Sequence, residues 1–353
     1  MNKDIVSLHA SYHCNNYGDM LLLRLFYDWV QSVSEDIVVN LPLVNTELKD
    51  IPTTEHGLKN LWHSKCLVYC GGGYFGEQPR RKLLWSIRAF KKHLIIGIIA
   101  VVRRIPFAII GVEFGPLSVG WFRALVIWLT KHAEIVVVRN KESKAFLEKY
   151  GVKTVIEGVD AVLSLQPTSH ERGNTVLIHL PGIRFAPEQY EKIAHLLVEA
   201  LLQRGFHHVS FIEDIDGQYR NGYDSIFAIF KEASIDFSID YYSGVESLIR
   251  KLSEADYIIT TKLHVGITGA AMNKRVLSLY NHPKTIRFHK QIANADNCLP
   301  VTADTVEMKA AINHFFDNEF VLSESIREKA LYNRSAVIEF VSQSLSRKKF
   351  NID

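Results

Sequence analysis

Short β-branched, apolar runs alternate along the chain with longer stretches whose apolar residues recur every three or four positions. The short runs predict strands at Ile5–His9, Ile37–Asn40, Leu67–Cys70, Pro106–Gly111, Ile135–Val138 and Thr154–Ile156. Helix-period stretches fill most of the gaps, among them Met20–Val33, Trp121–His132 and Lys141–Tyr150, and Gly151 is a suitable stop after the last. A polar, breaker-rich segment, Gln166–Asn174, interrupts this rhythm. It then restarts, with strands at Thr175–Leu180, His208–Ile212, Phe237–Ile239, Tyr257–Thr260 and Arg275–Leu279 and long helices at Pro187–Gln203 and Glu324–Ser346. Alternating strand and helix implies parallel sheets covered on both faces. The expected fold is therefore α/β, with a Rossmann-like domain over 1–165, a linker over 166–174, a second Rossmann-like domain over 175–320 and a C-terminal helical segment over 321–353. A chain of 353 residues can bury two such cores.

Composition changes this picture in one place. Net charge is +3, so the molecule as a whole is no polyanion binder. Between Glu77 and Glu113, however, there is no acidic residue, while Arg80, Arg81, Lys82, Arg88, Lys91, Lys92, Arg103 and Arg104 concentrate eight positive charges. Leu83, Leu84, Trp85, Ile87, Phe90 and the run 94–102 are interleaved with them. Residues 80–104 fit first a helix with a solvated basic face and a buried apolar face, and second contact with an anionic membrane surface. No nucleic-acid motif accompanies the patch. Apolar runs fall far short of the roughly 20 residues a membrane span needs, and no secretory signal follows Met1. The expected location is cytoplasmic, at most at the inner face of the membrane. Cys14, Cys66, Cys70 and Cys298 form neither a CxxC motif nor a zinc spacing, and no metal or cofactor is expected. Cys66 and Cys70 read as core residues.

The chemistry concentrates where a strand gives way to a helix, at Ala255-Asp-Tyr-Ile-Ile-Thr-Thr-Lys-Leu-His264. Thr260 and Thr261 are expected to cap the following helix. Lys262 and His264 then stand at the C-terminal edge of a sheet, where α/β proteins bind ligands and a helix N-terminus favours an anion. Lysine adds a full charge, and a histidine beside the helix dipole stays available for proton transfer. Arg139, ending an all-apolar strand, is expected to project toward ligand, since guanidinium matches carboxylate in two hydrogen bonds. His179 and Arg184 follow another strand, as do Tyr280, His282 and Lys284, with Arg287 and His289 further on. Gly71, Gly72 and Gly73 would let backbone approach a ligand, with Tyr74 and Phe75 as stacking surfaces. Asn16, Gly18 and Asp19 open the first long helix, and His13 lies close by. Asp19 alone fits an N-cap, and Asp160 fits a structural role.

Several of these segments, in this order, resemble one family, the polysaccharide pyruvyl transferases. They are Asn16-Tyr-Gly-Asp19, Gly71-Gly-Gly73, Val136-Val-Val-Arg139 with Ser143 and Gly151, Asp160-Ala161, Lys262-Leu-His264, and Leu279-Tyr280 with Lys284. Lys262 stands where the family usually has arginine, which keeps the charge but loses the planar fork. The resemblance implies a GT-B-like fold, two Rossmann-like domains facing across a cleft, with the terminal helix crossing back to the first. It implies transfer of the enolpyruvyl group of phosphoenolpyruvate to two hydroxyls of a sugar in a polysaccharide or a lipid-linked oligosaccharide precursor. Under that reading His264 and Arg139 are catalytic. Lys262, Leu263, Thr261, Lys284, Tyr280 and His179 hold the donor. Asn16, Gly18, Asp19, Gly71, Gly72, Gly73 and Tyr74 line the acceptor side. Two other readings stay open: a GT-B glycosyltransferase whose Glu213-Asp-Ile-Asp216 turn holds a ribose, and a non-catalytic anion-binding homologue in polysaccharide assembly.

Overall fold

The structure, a computed structural model, describes residues 3–12, 16–44, 48–52, 54–167, 173–181, 187–220, 222–280 and 282–347. His13, Cys14, Arg184 and most of the expected linker lie outside these residues. Two compact units emerge, the first made of 1–15, 19–164 and 327–353, the second of 16–18 and 165–326.

The first unit is a seven-stranded parallel sheet. Its elements run β1 (Asp4–His9), α1 (Tyr17–Gln31), β2 (Ile37–Leu41), β3 (Glu55–His56), α2 (Leu58–His63), β4 (Cys66–Phe75), α3 (Lys82–Ala89), α4 (Ile95–Val102), β5 (Phe107–Phe114), α5 (Gly120–His132), β6 (Ile135–Val138), α6 (Lys141–Lys149) and β7 (Ile156–Glu157). Strand order is β3-β2-β1-β4-β5-β6-β7, so the direction of winding reverses between β1 and β4. All eight residues of β5 are buried, which is why such strands read as unbroken apolar runs rather than alternating ones. Cys66 and Cys70 are free thiols inside β4, and burial pushes the Cys66 thiol up to about 12.

The second unit is a six-stranded parallel sheet of order β10-β9-β8-β11-β12-β13. Its elements are β8 (Val176–His179), α7 (Pro187–Gln203), β9 (His208–Ile212), α8 (Asp224–Glu232), β10 (Asp236–Asp240), α9 (Val245–Glu254), β11 (Tyr257–Thr260), α10 (Leu263–Ala271), β12 (Arg275–Tyr280), α11 (Pro283–Gln291), β13 (Cys298–Pro300) and α12 (Thr305–Asp317). Here the winding reverses between β8 and β11. The last helix, α13 (Glu324–Ser346), groups from Arg327 onward with the first unit. There Arg347 binds both oxygens of Glu134, and the Asn333 side chain donates to the Val159 carbonyl at 3.2 Å.

Two sequence expectations change. The glycine run is not a loop after a strand but the continuation of β4, in register with β5 through Gly72 and Val112. A Cβ at Gly71 would press on Leu22 at 3.0 Å and on the Gly111 carbonyl at 3.4 Å. Glycine there lets β4 lie close to β5 and α1. Tyr74 is buried rather than offered to a sugar: its hydroxyl donates to the Cys70 carbonyl at 2.9 Å and its ring stacks on His93 at 4.8 Å.

Candidate functional site

In the second sheet the winding reversal brings two strand ends together, because Thr260, last in β11, pairs with His179, last in β8. Ligands bind at this point in open α/β sheets. The next strand on one side, β9, ends just before Glu213 and Asp214. Asp214 is fully buried and joins the two halves: one carboxylate oxygen lies 3.1 Å from His179 Nε2 and the other 2.7 Å from Lys262 Nζ. Burial alone would raise the Asp214 carboxyl, but His179 and Lys262 outweigh it and hold it well below the usual carboxylate range. Desolvation lowers His179, so the imidazole stays neutral against the carboxylate at neutral pH. Lys262 is partly exposed, with its ammonium anchored on Asp214 and its backbone opening α10.

The turn itself differs from the expected double cap. The Thr260 hydroxyl accepts the Lys262 N–H at 2.9 Å, and the Thr261 hydroxyl donates to the Pro181 carbonyl at 3.2 Å. Lys262 occupies the cap position, with no side-chain bond to the helix. Both threonines thus stiffen the strand–helix turn and leave the first turn of α10 uncapped by either hydroxyl. Leu263 and His264 form that first turn, both partly exposed.

Asn16–Gly18 belong to this unit. The Tyr17 N–H donates to the Asp214 carbonyl at 3.1 Å, and the Tyr17 hydroxyl bonds that of Thr268 at 2.9 Å. A Cβ on Gly18 would overlap the His264 ring, so glycine is what permits this approach. The loop expected on the acceptor side is therefore grouped with the expected donor residues. Asp19 is not the cap but the third residue of α1, where a carboxylate still suits the helix dipole.

On the other side of β11, Tyr280 ends β12. His282 caps α11, its Nδ1 accepting from the Lys284 N–H at 3.3 Å, which puts Lys284 in the first helical turn. His179, Thr261, Lys262, His264, Tyr280 and Lys284 thus all stand at the ends of three adjacent strands. Arg139 is elsewhere. It is buried in the first unit, bonded to Glu113 and, at 3.0 Å, to Asp160. Its expected projection toward a ligand is corrected: two buried carboxylates take the guanidinium. Within the Glu213–Asp216 turn, Glu213 is likewise committed, accepting from the N–H groups of Gly217 (2.9 Å) and Tyr219 (2.8 Å). Asp214 entered the sequence analysis only as part of the Glu213–Asp216 turn, and its pairing with His179 and Lys262 was not foreseen. Its signal was the pair of acidic residues just past the strand neighbouring β8.

His289, placed by the sequence among the basic residues that follow β12, is buried. Its Nε2 pairs with the Ser278 hydroxyl at 2.8 Å and its Nδ1 with the Asn294 carbonyl at 3.0 Å. Burial brings its pKa down to about 4 from 6.5. The folded state therefore refuses a proton that the unfolded chain accepts, so stability falls as pH drops from about 6.5 toward 4, by on the order of 3 kcal/mol. Urea midpoints between pH 7 and 4 should fall less steeply in His289→Gln than in the parent. Parallel profiles would show that His289 does not contribute.

Among the described residues no group of three metal-ligating side chains is assembled, and no helix is long and apolar enough to cross a membrane. No curated protein matches the chain significantly by sequence. Solved structures resemble it at low identity over nearly full length. A candidate UDP-N-acetylglucosamine 2-epimerase from Listeria monocytogenes is 11% identical with a TM-score of 0.64, covering 99% of this chain and 98% of its own. A UDP-GlcNAc 2-epimerase from Neisseria meningitidis bound to UDP-GlcNAc is 12% identical with a TM-score of 0.61 and coverages of 97% and 99%. Phytolacca americana UGT2, complexed with UDP-2fluoro-glucose and pterostilbene, is 10% identical with a TM-score of 0.53 and coverages of 99% and 96%. These likenesses establish a GT-B type of α/β fold. The family model of polysaccharide pyruvyl transferases matches residues 16–283, a span that runs from the Asn16 loop through the Lys262–His264 turn to the start of α11. The chain belongs to the polysaccharide pyruvyl transferase family.

Proposed function

We propose that the protein transfers the pyruvyl group of phosphoenolpyruvate to two hydroxyls of one sugar, in a polysaccharide or its lipid-linked precursor, as a cyclic ketal. The observation that carries this reading is the Lys262–Asp214–His179 assembly at the winding reversal, with His264 in the first turn of the adjoining α10. A donor with a phosphate and a carboxylate needs cations placed before it arrives. Asp214 holds Lys262 in position, and Lys284 supplies a second ammonium from the first turn of α11. The α10 dipole adds partial positive charge beside His264.

In the reaction, a proton goes to the methylene carbon of the enol, and C2 becomes electron-poor. The first sugar hydroxyl attacks C2 and gives up its proton. The C2–O bond to phosphate breaks, phosphate departs with the electron pair, and the second hydroxyl closes the ketal. One hydroxyl proton balances the new methyl group and the other leaves with phosphate. His264 moves the proton in this reading, and Lys262 and Lys284 neutralise the departing phosphate.

Thermal unfolding with phosphoenolpyruvate beside a panel of sugar nucleotides tests the donor without knowing the acceptor. At about 100 times its dissociation constant the donor should add roughly 2.7 kcal/mol. The shift should vanish in Lys262→Ala and persist in Lys262→Arg, which keeps the charge and gains the fork. A shift with a sugar nucleotide alone would move the assignment to glycosyl transfer. Phosphoenolpyruvate binding without phosphate release, with every acceptor offered, would leave an anion-binding homologue.

A further inference from the structure

The first unit carries an exposed face that nothing in the proposed reaction uses. Helix α3 spends one side on the core: Ser86 and Ala89 are buried, and Trp85 meets Phe122 edge-on at 5.4 Å. Its opposite side shows Leu83 at 59% exposure, Leu84 at 40% and Ile87 at 41%. An isolated exposed leucine needs no explanation, but three on one short helix side do. The helical turn Phe90–Leu94, π-helical in its hydrogen bonding, joins α3 to α4. The rings of Phe90 and Trp121 meet edge-on with centres 6.1 Å apart, and Trp121, half-exposed, lies in the first turn of α5. Two turns on, Trp128 is exposed on the same side of α5.

The charges around this apolar band have one sign. Arg80 and Arg81 precede it, and Arg88, Lys91 and Lys92 follow it, all exposed. Lys82 is answered by Glu77 at 3.2 Å and is left out. From Gln78 to Ala133 the chain holds a single carboxylate, Glu113, which is buried and bonded to Arg139. A helix exposed merely to solvent has no need of three large aliphatic side chains, and a site for a soluble polyanion has no use for them either. Apolar residues flanked at both ends by cations, with tryptophan beside them, match the interface of an anionic bilayer. There, aliphatic side chains enter the acyl boundary and Arg and Lys reach the headgroups.

We propose that α3, with Trp121 of α5, docks the protein on the surface of an anionic lipid membrane. The full chain should sediment with vesicles of equal parts phosphatidylglycerol and phosphatidylcholine at about 0.1 M salt, and not with phosphatidylcholine alone. Tryptophan emission should shift to the blue on binding. The double variant Leu83→Glu, Ile87→Glu replaces exposed side chains, so it should keep the parent's circular dichroism and melting temperature while losing binding at least tenfold. Arg88→Ala should lose roughly fivefold. A parent that stays in solution with the anionic vesicles overturns the proposal. So does a double variant that binds as well as the parent, since that would mean adsorption by charge alone. Neither readout involves phosphoenolpyruvate, so this surface stands or falls separately from the proposed reaction.

Discussion

Arg139→Ala should destabilise the protein by about 3–5 kcal/mol, because it leaves Glu113 and Asp160 as buried carboxylates with their shared cation gone. The residue lies just past the end of β6, and its hold on the proton is strengthened beyond that of an ordinary guanidinium: burial opposes the charge, but Glu113 and Asp160 outweigh burial. One oxygen of Asp160 also accepts the Val162 N–H at 3.1 Å, so the triad fixes the chain just past β7 as well. Substituting all three members together with apolar residues should cost much less than the single change, since no buried charge then goes unpaired. Chemical denaturation of the single and triple variants measures this directly. An Arg139→Ala protein as stable as the parent, but weak in donor binding, would return the arginine to the ligand role that its place after an apolar strand suggests.

Loss of the His264 imidazole should lower turnover by about 10² to 10⁴-fold, the range expected for a positioned general acid or base. The side chain is partly exposed in the first turn of α10, so His264→Ala should fold like the parent. Acceptor-dependent release of phosphate from phosphoenolpyruvate gives the rate, and the donor-induced thermal shift should persist because Lys262 is untouched. Turnover within about threefold of the parent would remove His264 from the proton-transfer step. A lost thermal shift would instead make it a donor ligand.

Much of the architecture was legible from local pattern. The alternation of β-branched runs with helix-period stretches located β6, β9 and β11 to the residue, and α7 and α13 as well. Fully buried parallel strands are continuous apolar runs, and long helices carry a period that short neighbours do not disturb. The cluster at Lys262–His264 was legible for a similar reason. A strand, a polar turn and a helix in direct succession define a ligand-binding edge within ten residues.

The pairings across longer separations were not legible, because periodicity reports which face a residue takes and not which residue it meets. Two-residue β3 and three-residue β13 are too short to carry a period at all. Arg139 meets Glu113, 26 positions earlier, and Asp160, 21 positions later. Asp214 meets His179, 35 positions back, and Lys262 beyond two further strands. The glycine run looked like a loop because glycine usually ends strands. Only the close approach of β5 and Leu22 explains its place within β4. The sequence by itself determined the α/β class, the strands that wind it and the strand–helix turn at Lys262–His264. The tertiary structure decided which charges are already spent on one another. It buries Arg139 and Glu213 with partners and leaves Lys262 half-open on Asp214, because a charge taken out of water must be answered from whatever the fold brings beside it.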